Sequence, residues 1–600
     1  MSKLHVDQKS IESLLSDKSN QYLIPEYQRP YEWDEERCRT LWDDILEFAM
    51  PENDANDFKE EYFLGSIVTF KNNEVKNNEV KNNEEFLEVK NNEEFLEVID
   101  GQQRITTLLL LLRAIYKKLE PSKDDKSIGV KRQIGQCIWH TDKFTKEPNK
   151  DKIKIDTKVA TDKDREALIS ILKTGTTTNG KDIYSQNYRH FTEWIDEYVK
   201  DYPIPFYNLC IRILNNCILL PIECESQDVA LRIFTTLNDR GMPLSDSDIF
   251  KAQLYKYYSN DNKQDSFIQK WQKFSEICDD IPKNNKSNQN TTDEIFTQYM
   301  YWLRAKDNIK DTTVPGLRKY FEQNKYEKLK NDEVMKDVIS LSNFWKVLSD
   351  KDANNDFEVS EEALKYVHAL EHMPNAFWKY NFTVYFFANK SKEDKLEEKG
   401  FEEFTKKTLA YCFVSYITRP GVSYIKNASI PAFVDIANKR QFKYPIFAKE
   451  DFKREFHNIY AHSKFMIKPV LLWEAYQIPE QTLIDRNGNN RKIKIEIEHI
   501  LPKNWKSANY KNWNRKEADE YLEKLGNKII LDKKTNIQAG DGFFKTKKDR
   551  WYKKSPIKIV NKLAKEYPHD DWIKADIEKR EDKLLNDFLN FAIQYGIVKN

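Results

Sequence analysis

The sequence predicts an α+β multidomain chain, and three observations carry the prediction. At 600 residues the chain is too long for one core. Charged and Ile positions alternate with period two over residues 492–502, the pattern of a half-buried strand. Between about 255 and 478 the apolar spacing is mostly helical. The expected division is therefore 1–255, mixed strand and helix; 256–480, a helical connector; and 481–600, strand, strand and helix.

In the first segment, Leu23, Ile24, Tyr27, Tyr31 and Trp33 crowd around the pair Gln28 and Arg29. Further on, Val98 and Ile99 close a strand, and Asp100-Gly101-Gln102-Gln103-Arg104 turns into a Leu-rich helix beginning near Thr106. Gly101 permits the bend, and Thr106 or Thr107 is placed to cap the exposed N–H groups. A helix N terminus preceded by an acid, two amides and an arginine suits phosphate: backbone donors, the Arg104 fork, and Asp100 to hold Mg²⁺. The same residues read equally well as a capped sheet edge and a plain turn.

Residues 71–98 repeat KNNEV twice and KNNEEFLEV twice. Only the FLEV portions suit a core, so the last copy should supply the strand before Asp100 and the others an outward hairpin. The segment 175–182 nearly spells a Walker A loop, but Asp182 replaces the Ser/Thr hydroxyl and helical sequence precedes it, so a surface loop is expected. In 231–251, Asn238 and Gly241 make a turn and Ser245 caps the next helix with Asp248; Asn238, Asp248 and Lys251 are secondary site candidates. In the connector, Trp271, Tyr299, Trp302, Tyr320, Phe344, Trp345, Phe377 and Trp378 fall amid apolar spacing and read as core.

The third segment holds the strongest chemical signal. Ile493, Ile495 and Ile497 share one face of the strand, and Lys492, Lys494, Glu496 and Glu498 the other, with Pro502 ending it. Glu498 and His499 at its end supply a hard oxygen ligand for Mg²⁺ and a base near neutral pH; Asn527 and Asn536 could complete the metal site and orient the base. Taken alone, a Glu-His step at a strand end is more often surface decoration. Ile529, Ile530 and Leu531 form a second strand, with Gly540 and Gly542 as the turn out of it, and a basic amphipathic stretch fills 545–565. Pro556 restricts a helix there unless it restarts with Ser555 as N-cap.

Acidic and basic residues balance at 97 each, so no global field marks a polyanion partner; charge must act locally. Seven scattered cysteines suit free thiols in a reducing cytoplasm. The opening residues lack an apolar signal core, and the apolar run 108–112 is stopped by Arg113, so no membrane span is expected.

The order His499-x-x-Pro502, Leu525-Gly526-Asn527, Asn536, Lys545 resembles the HNH, or ββα-metal, nuclease fold in the form found in the C-terminal half of GmrSD-type restriction enzymes. The resemblance implies His499 as general base, Asn536 as metal ligand with Glu498 as a second, Asn527 fixing the loop, and Lys545 near the scissile phosphate. With no CxxC in the chain, the metal should be catalytic, Mg²⁺ or Mn²⁺, rather than a zinc clamp. The 24–33 and 100–107 motifs, with Gly65-Ser66-Ile67-Val68, resemble the N-terminal ParB/sulfiredoxin-like domain of the same proteins. That implies a nucleotide site of Gln28, Arg29, Asp100, Gly101, Gln102, Gln103, Arg104 and Thr107, taking GTP, UTP, ATP or CTP with Mg²⁺.

The function implied is a nucleotide-dependent, type IV-like restriction endonuclease that cleaves modified foreign (phage) double-stranded DNA in the cytoplasm, with a homodimer favoured for double-strand cutting. Three alternatives differ in their signatures. A phosphorothioate-sensing nickase would nick and turn over NTP on sulfur-modified DNA. A nucleotide-responsive DNA-binding regulator with an inactive nuclease site would bind without cutting, and an RNase would prefer RNA.

Overall fold

The structure is a computed structural model. It describes the chain apart from residues 1–4, 7, 19, 50–59, 72–94, 143, 146, 160–161, 178–179, 204–205, 227–228, 231–232, 234–244, 260, 262, 283–289, 350–355, 483–493, 506–509 and 511. It divides into two compact units, Met1–Gln264 and Asp265–Asn600, so the helical connector and the C-terminal segment share one unit.

The first unit is built on a seven-stranded mixed sheet. Its strands are β1 (His5–Val6), β2 (Lys9–Ser10), β3 (Gln21–Ile24), β4 (Tyr62–Lys71), β5 (Phe95–Asp100), β8 (Ile155–Thr157) and β9 (Cys217–Cys224), with β6 (Trp139–Thr141) and β7 (Pro148–Ile153) as a separate hairpin. The order is β1-β9-β4-β5-β3-β8, with β2 also on β9. β4 and β5 pair antiparallel, so the repeat connects two neighbouring strands, and its last FLEV copy lies in β5 as expected. Apart from Lys71 at the end of β4, the rest of the repeat lies outside the described residues.

The helix Gln102–Leu119 is the core of this unit: Leu108 to Leu112 are each buried to 1 % exposure or less. A helix apolar on every side is stable only when surrounded, and sheet and helices surround this one. It begins four residues earlier than the sequence suggests. Gly101, at φ 88°, makes the turn, and no side chain caps the helix; the Thr107 hydroxyl instead donates to the Gln103 carbonyl at 2.8 Å. The near-Walker segment follows the helix Asp162–Thr174, and the Asp182 carboxylate caps the next helix by accepting from the Ser185 N–H at 2.7 Å. Asn238 and Gly241 lie outside the described residues. Ser245 and Asp248 form a reciprocal capping box, with bonds of 3.2 and 3.1 Å.

In the second unit, helices from Gln264–Asp280 to Ile467–Tyr476 carry a continuous aromatic core. Of the aromatics expected there, Trp302 is the exception, being only half-buried. The C-terminal part holds a two-stranded antiparallel ribbon, β10 (Ile495–His499) against β11 (Lys528–Asp532). Directly after β11 comes the helix Lys533–Ala539, capped by Asp532, where the sequence suggested only a turn. The basic stretch is broken into a π-turn Lys547–Trp551, a 3₁₀ turn Tyr552–Lys554 and a helix Lys558–Glu566. Ser555 accepts from the Ile557 N–H at 3.1 Å rather than starting a helix at Pro556.

The long helix Lys574–Gln594 locks the ribbon in place. The Arg580 guanidinium, 5 % exposed, donates to the carbonyls of Leu525, Gly526 and Lys528 and, through its other nitrogen, to both oxygens of Glu474 at 2.9 and 2.6 Å. Gly526 lies so close to this helix that an added Cβ would sit 2.0 Å from the Ile577 carbonyl oxygen. Backbone cannot rotate away as a side chain can. Gly526→Ala should therefore lower stability by about 1–3 kcal/mol, the usual range for forced overpacking, measured by chemical unfolding of the full chain.

Candidate active site

His499 ends β10, and its cross-strand partner is Lys528, so the two side chains share a face of the ribbon. Between them lies Glu523. Its carboxylate accepts from the Lys528 ammonium and stands 3.5 Å from His499 Nε2, too long for a good hydrogen bond. That Nε2 is buried and unpartnered. Burial, then the Lys528 charge, push the imidazole down to about 4, so at neutral pH it is uncharged and able to accept a proton. Burial works against the Glu523 charge, but Lys528 and His499 outweigh it and hold its carboxyl below the ordinary value. Any reaction using His499 as base should stay active from about pH 8 down to about 5 and fail only as the imidazole protonates near 4. A cleavage profile with its acid limb near the ordinary histidine value of about 6.5 would refute that assignment.

Adjacent residues on a strand face opposite ways, and this separates Glu498 from His499. Glu498 is 5 % exposed, and its Oε1 accepts from both the Lys547 ammonium and the Tyr552 hydroxyl at 2.7 Å. Lys547 is fully buried and also donates to the His499 carbonyl at 3.0 Å, anchoring the backbone that carries the imidazole. Burial pushes the Glu498 carboxyl up despite the Lys547 ammonium. Asn536, on the helix Lys533–Ala539, turns its amide to Glu496 at 3.0 Å.

These contacts do not fit Glu498 and Asn536 as one Mg²⁺ or Mn²⁺ site. A dication on Glu498 would stand against the ammonium already there, and Asn536 is engaged elsewhere. Among the described residues, no group of three or more His, Cys, Asp or Glu side chains is gathered for a metal. Asn527 is fully buried: its oxygen accepts from the Leu501 N–H at 2.8 Å and the Trp572 indole at 3.2 Å, and its nitrogen donates to the Leu501 and Leu522 carbonyls at 3.1 and 2.9 Å. This is a loop-fixing geometry. Lys545 is 59 % exposed and paired with Asp570 at 2.8 Å, which gives it no contact with the cluster. The exposed cation whose charge reaches His499 is Lys503. Sequence reasoning missed Lys547, Glu523, Lys528 and Lys503. Lys528 could have been found by pairing the two strands and reading across from His499.

In the first unit, most expected nucleotide residues tie the 28–33 loop to the turn after β5. Gln28 donates to the Ile99 carbonyl at 3.1 Å, and Gln102 to the Arg29 carbonyl at 3.0 Å. Gln103 donates to the Pro30 carbonyl at 2.7 Å while its oxygen accepts from the Glu32 and Trp33 N–H groups. The Thr107 hydroxyl meets that of Tyr31 at 2.8 Å. These side chains shape the site and do not reach into it. Arg29, Asp100 and Arg104 are half-buried around the uncapped N terminus of Gln102–Leu119. Burial raises the Asp100 carboxyl although both arginines act against the rise. Arg104 also donates to the Ser66 carbonyl at 2.8 Å, lying across Gly65, where a Cβ would meet its guanidinium at 2.7 Å. Lys251 reaches the Gln28 carbonyl at 2.9 Å, and burial pushes its ammonium down to about 8. Donor N–H groups, two guanidinium groups and a carboxylate fit the phosphates of a nucleotide and its cation.

The described residues thus hold two polar centres, a neutral imidazole beside a carboxylate and lysines in one unit and an arginine-flanked helix N terminus in the other, the parts of a phosphate-handling protein. It belongs to the GmrSD restriction endonuclease family. The N-terminal domain of GmrSD restriction endonucleases matches residues 11–255, and their C-terminal domain matches residues 447–587. No curated protein matches the chain. The second match starts well before 481, in step with the Arg580–Glu474 contact that joins the ribbon to the helix Ile467–Tyr476. Among the described residues, no helix is long and apolar enough to cross a membrane.

Proposed function

We propose that the chain is a nucleotide-dependent, type IV-like restriction endonuclease that cleaves modified double-stranded DNA. The observation that supports this most is His499, a neutral imidazole with a buried, unpartnered Nε2 at the end of the ribbon. In the proposed reaction Nε2 takes the proton of a water whose oxygen attacks the phosphorus; the bond from phosphorus to one sugar oxygen breaks, that oxygen leaves and takes a proton from solvent, and the imidazolium returns its own proton to solvent. Glu523 lies where it can stabilise the imidazolium that forms, and Lys503 steadies the phosphate charge. Lys547 holds the strand end, through the His499 carbonyl, while the proton moves. In this reaction Glu498 and Asn536, engaged by Lys547 and Glu496, hold no divalent ion, and the dependence of cleavage on Mg²⁺ or Mn²⁺ is part of the test.

In the first unit, Arg29, Arg104 and the N terminus of Gln102–Leu119 would hold the nucleotide phosphates, and Asp100 their cation. A bound NTP would supply charge that orders this turn, and hydrolysis would release it, gating the nuclease. The test is a cleavage matrix of modified phage DNAs and amplified DNA against each NTP, with and without Mg²⁺. The expected result is cleavage of modified DNA only, with NTP. Asp100→Ala should reduce NTP turnover by about 10–100-fold and NTP-dependent cutting with it. Intact DNA under every condition would overturn the proposal.

A further inference from the structure

We propose that a cavity of about 540 Å³ in the helical part of the second unit receives an unpaired DNA base swung out of the duplex. This rests on the DNA endonuclease reading above and adds to it a place where a base is inspected. The cavity lies within residues 256–446, between the two family matches, so neither match assigns it.

Its floor is Trp302, whose ring stacks on Phe387 with centroids 5.2 Å apart and planes 18° from parallel. Trp302 is half-buried while its neighbours in the aromatic core are closed over, and both it and Phe387 line the cavity. On the wall, Asp337 accepts from the Tyr299 hydroxyl at 3.0 Å and stands 3.9 Å from the Lys390 ammonium. Asp337 and Lys390 line the same cavity as the Trp302 indole, and an acceptor and an N–H donor there suit the amine and carbonyl edges of a nucleobase. The volume falls in the range of about 300–1,000 Å³ typical of sites for molecules of that size.

Another part of the lining follows strained backbone. Asn324, Lys325 and Tyr326 are three consecutive non-glycine residues in the left-handed region, at φ 51°, 57° and 63°. They deliver the 3₁₀ turn Glu327–Leu329 and then Lys330 to the cavity. Runs of left-handed backbone persist only where the surroundings enforce them, and they concentrate at binding sites.

Charge decides between a base and a triphosphate. Four lysines, Lys306, Lys328, Lys330 and Lys390, face three carboxylates, Glu327, Glu333 and Asp337. Lys328 is already paired with Asp307 at 2.6 Å, and Lys390 with Asp394 at 2.8 Å. Little positive charge remains for a polyanion inside. A neutral ring suits the interior, with exposed Lys306 and Lys330 left for the flanking phosphodiesters.

The test uses the full chain carrying His499→Ala, so that the probe survives. The probe is a duplex with a single 5-iodouracil opposite an abasic site, irradiated and mapped by mass spectrometry. The expected cross-link is in the helix Thr291–Lys306, at Trp302. Trp302→Ala should cut the preference for this duplex over its fully paired counterpart by about tenfold, and Trp302→Phe should keep most of it. The cross-link map needs no substitution at Trp302, so it stands even if that variant fails to fold. Binding of duplex with cross-links only in other segments would overturn the cavity assignment and leave the endonuclease reading intact. Absence of binding to any duplex would overturn both.

Discussion

Replacing His499 by alanine is expected to lower cleavage by about 10²–10⁴-fold, the contribution of one positioned general base, while leaving the unfolding transition in place. Stability should hold because the imidazole makes no good hydrogen bond: its Nε2 is unpartnered and the nearest carboxylate oxygen is 3.5 Å away. Removing it also takes away a group that folding forces to remain uncharged. Added imidazole should restore part of the activity, which separates a lost base from a distorted site. Cleavage within threefold of the parent chain would remove His499 from the reaction.

The largest effect on stability is expected at Lys547. Lys547→Met leaves Glu498 buried without its cation, and breaking a buried pair on one side typically costs about 3–5 kcal/mol. The loss should depend on pH in a definite direction. Burial already pushes the Glu498 carboxyl up, and without Lys547 it rises further. The unfolded chain releases this proton near pH 4.3 while the folded variant keeps it to higher pH, so stability must fall as pH rises above about 5. Glu498→Gln in the same chain removes the charge and should recover more than half of the loss. A Lys547→Met chain within 1 kcal/mol of the parent, by urea unfolding at about pH 7, would mean that Glu498 is not held by this pair.

His499 and Lys547 both sit on structure that is only partly visible in the sequence. The two ribbon strands were legible from two different patterns, alternation around Ile495 for β10 and the short apolar run Ile529–Leu531 for β11. The same alternation also separates Glu498 from His499. Adjacency in sequence suggested one metal-and-base centre, yet on a strand it puts the two side chains on opposite faces. The helix Lys533–Ala539 was hidden because its seven residues have almost no apolar face; what starts it is the Asp532 cap. Lys545 and Lys547 are indistinguishable in a basic run. Only the π-turn, which buries Lys547 and leaves Lys545 exposed, tells them apart. In the first unit, Asp100 and Arg104 were legible as a turn at a helix N terminus, whereas the inward hydrogen bonds of Gln28, Gln102 and Gln103 depend on a loop about 70 residues away in sequence.

Arg580 has a meaning in time as well as in space. It is made 52 residues after Lys528, the last of the carbonyls it holds. At the usual pace of synthesis, roughly 5–20 residues per second, the ribbon leaves the ribosome about 3–10 s before its fastener. During that interval the 525–528 turn has no guanidinium on its carbonyls, and the backbone behind His499 is unlatched. The ribbon therefore reaches its final geometry only when the long helix Lys574–Gln594 folds back onto it.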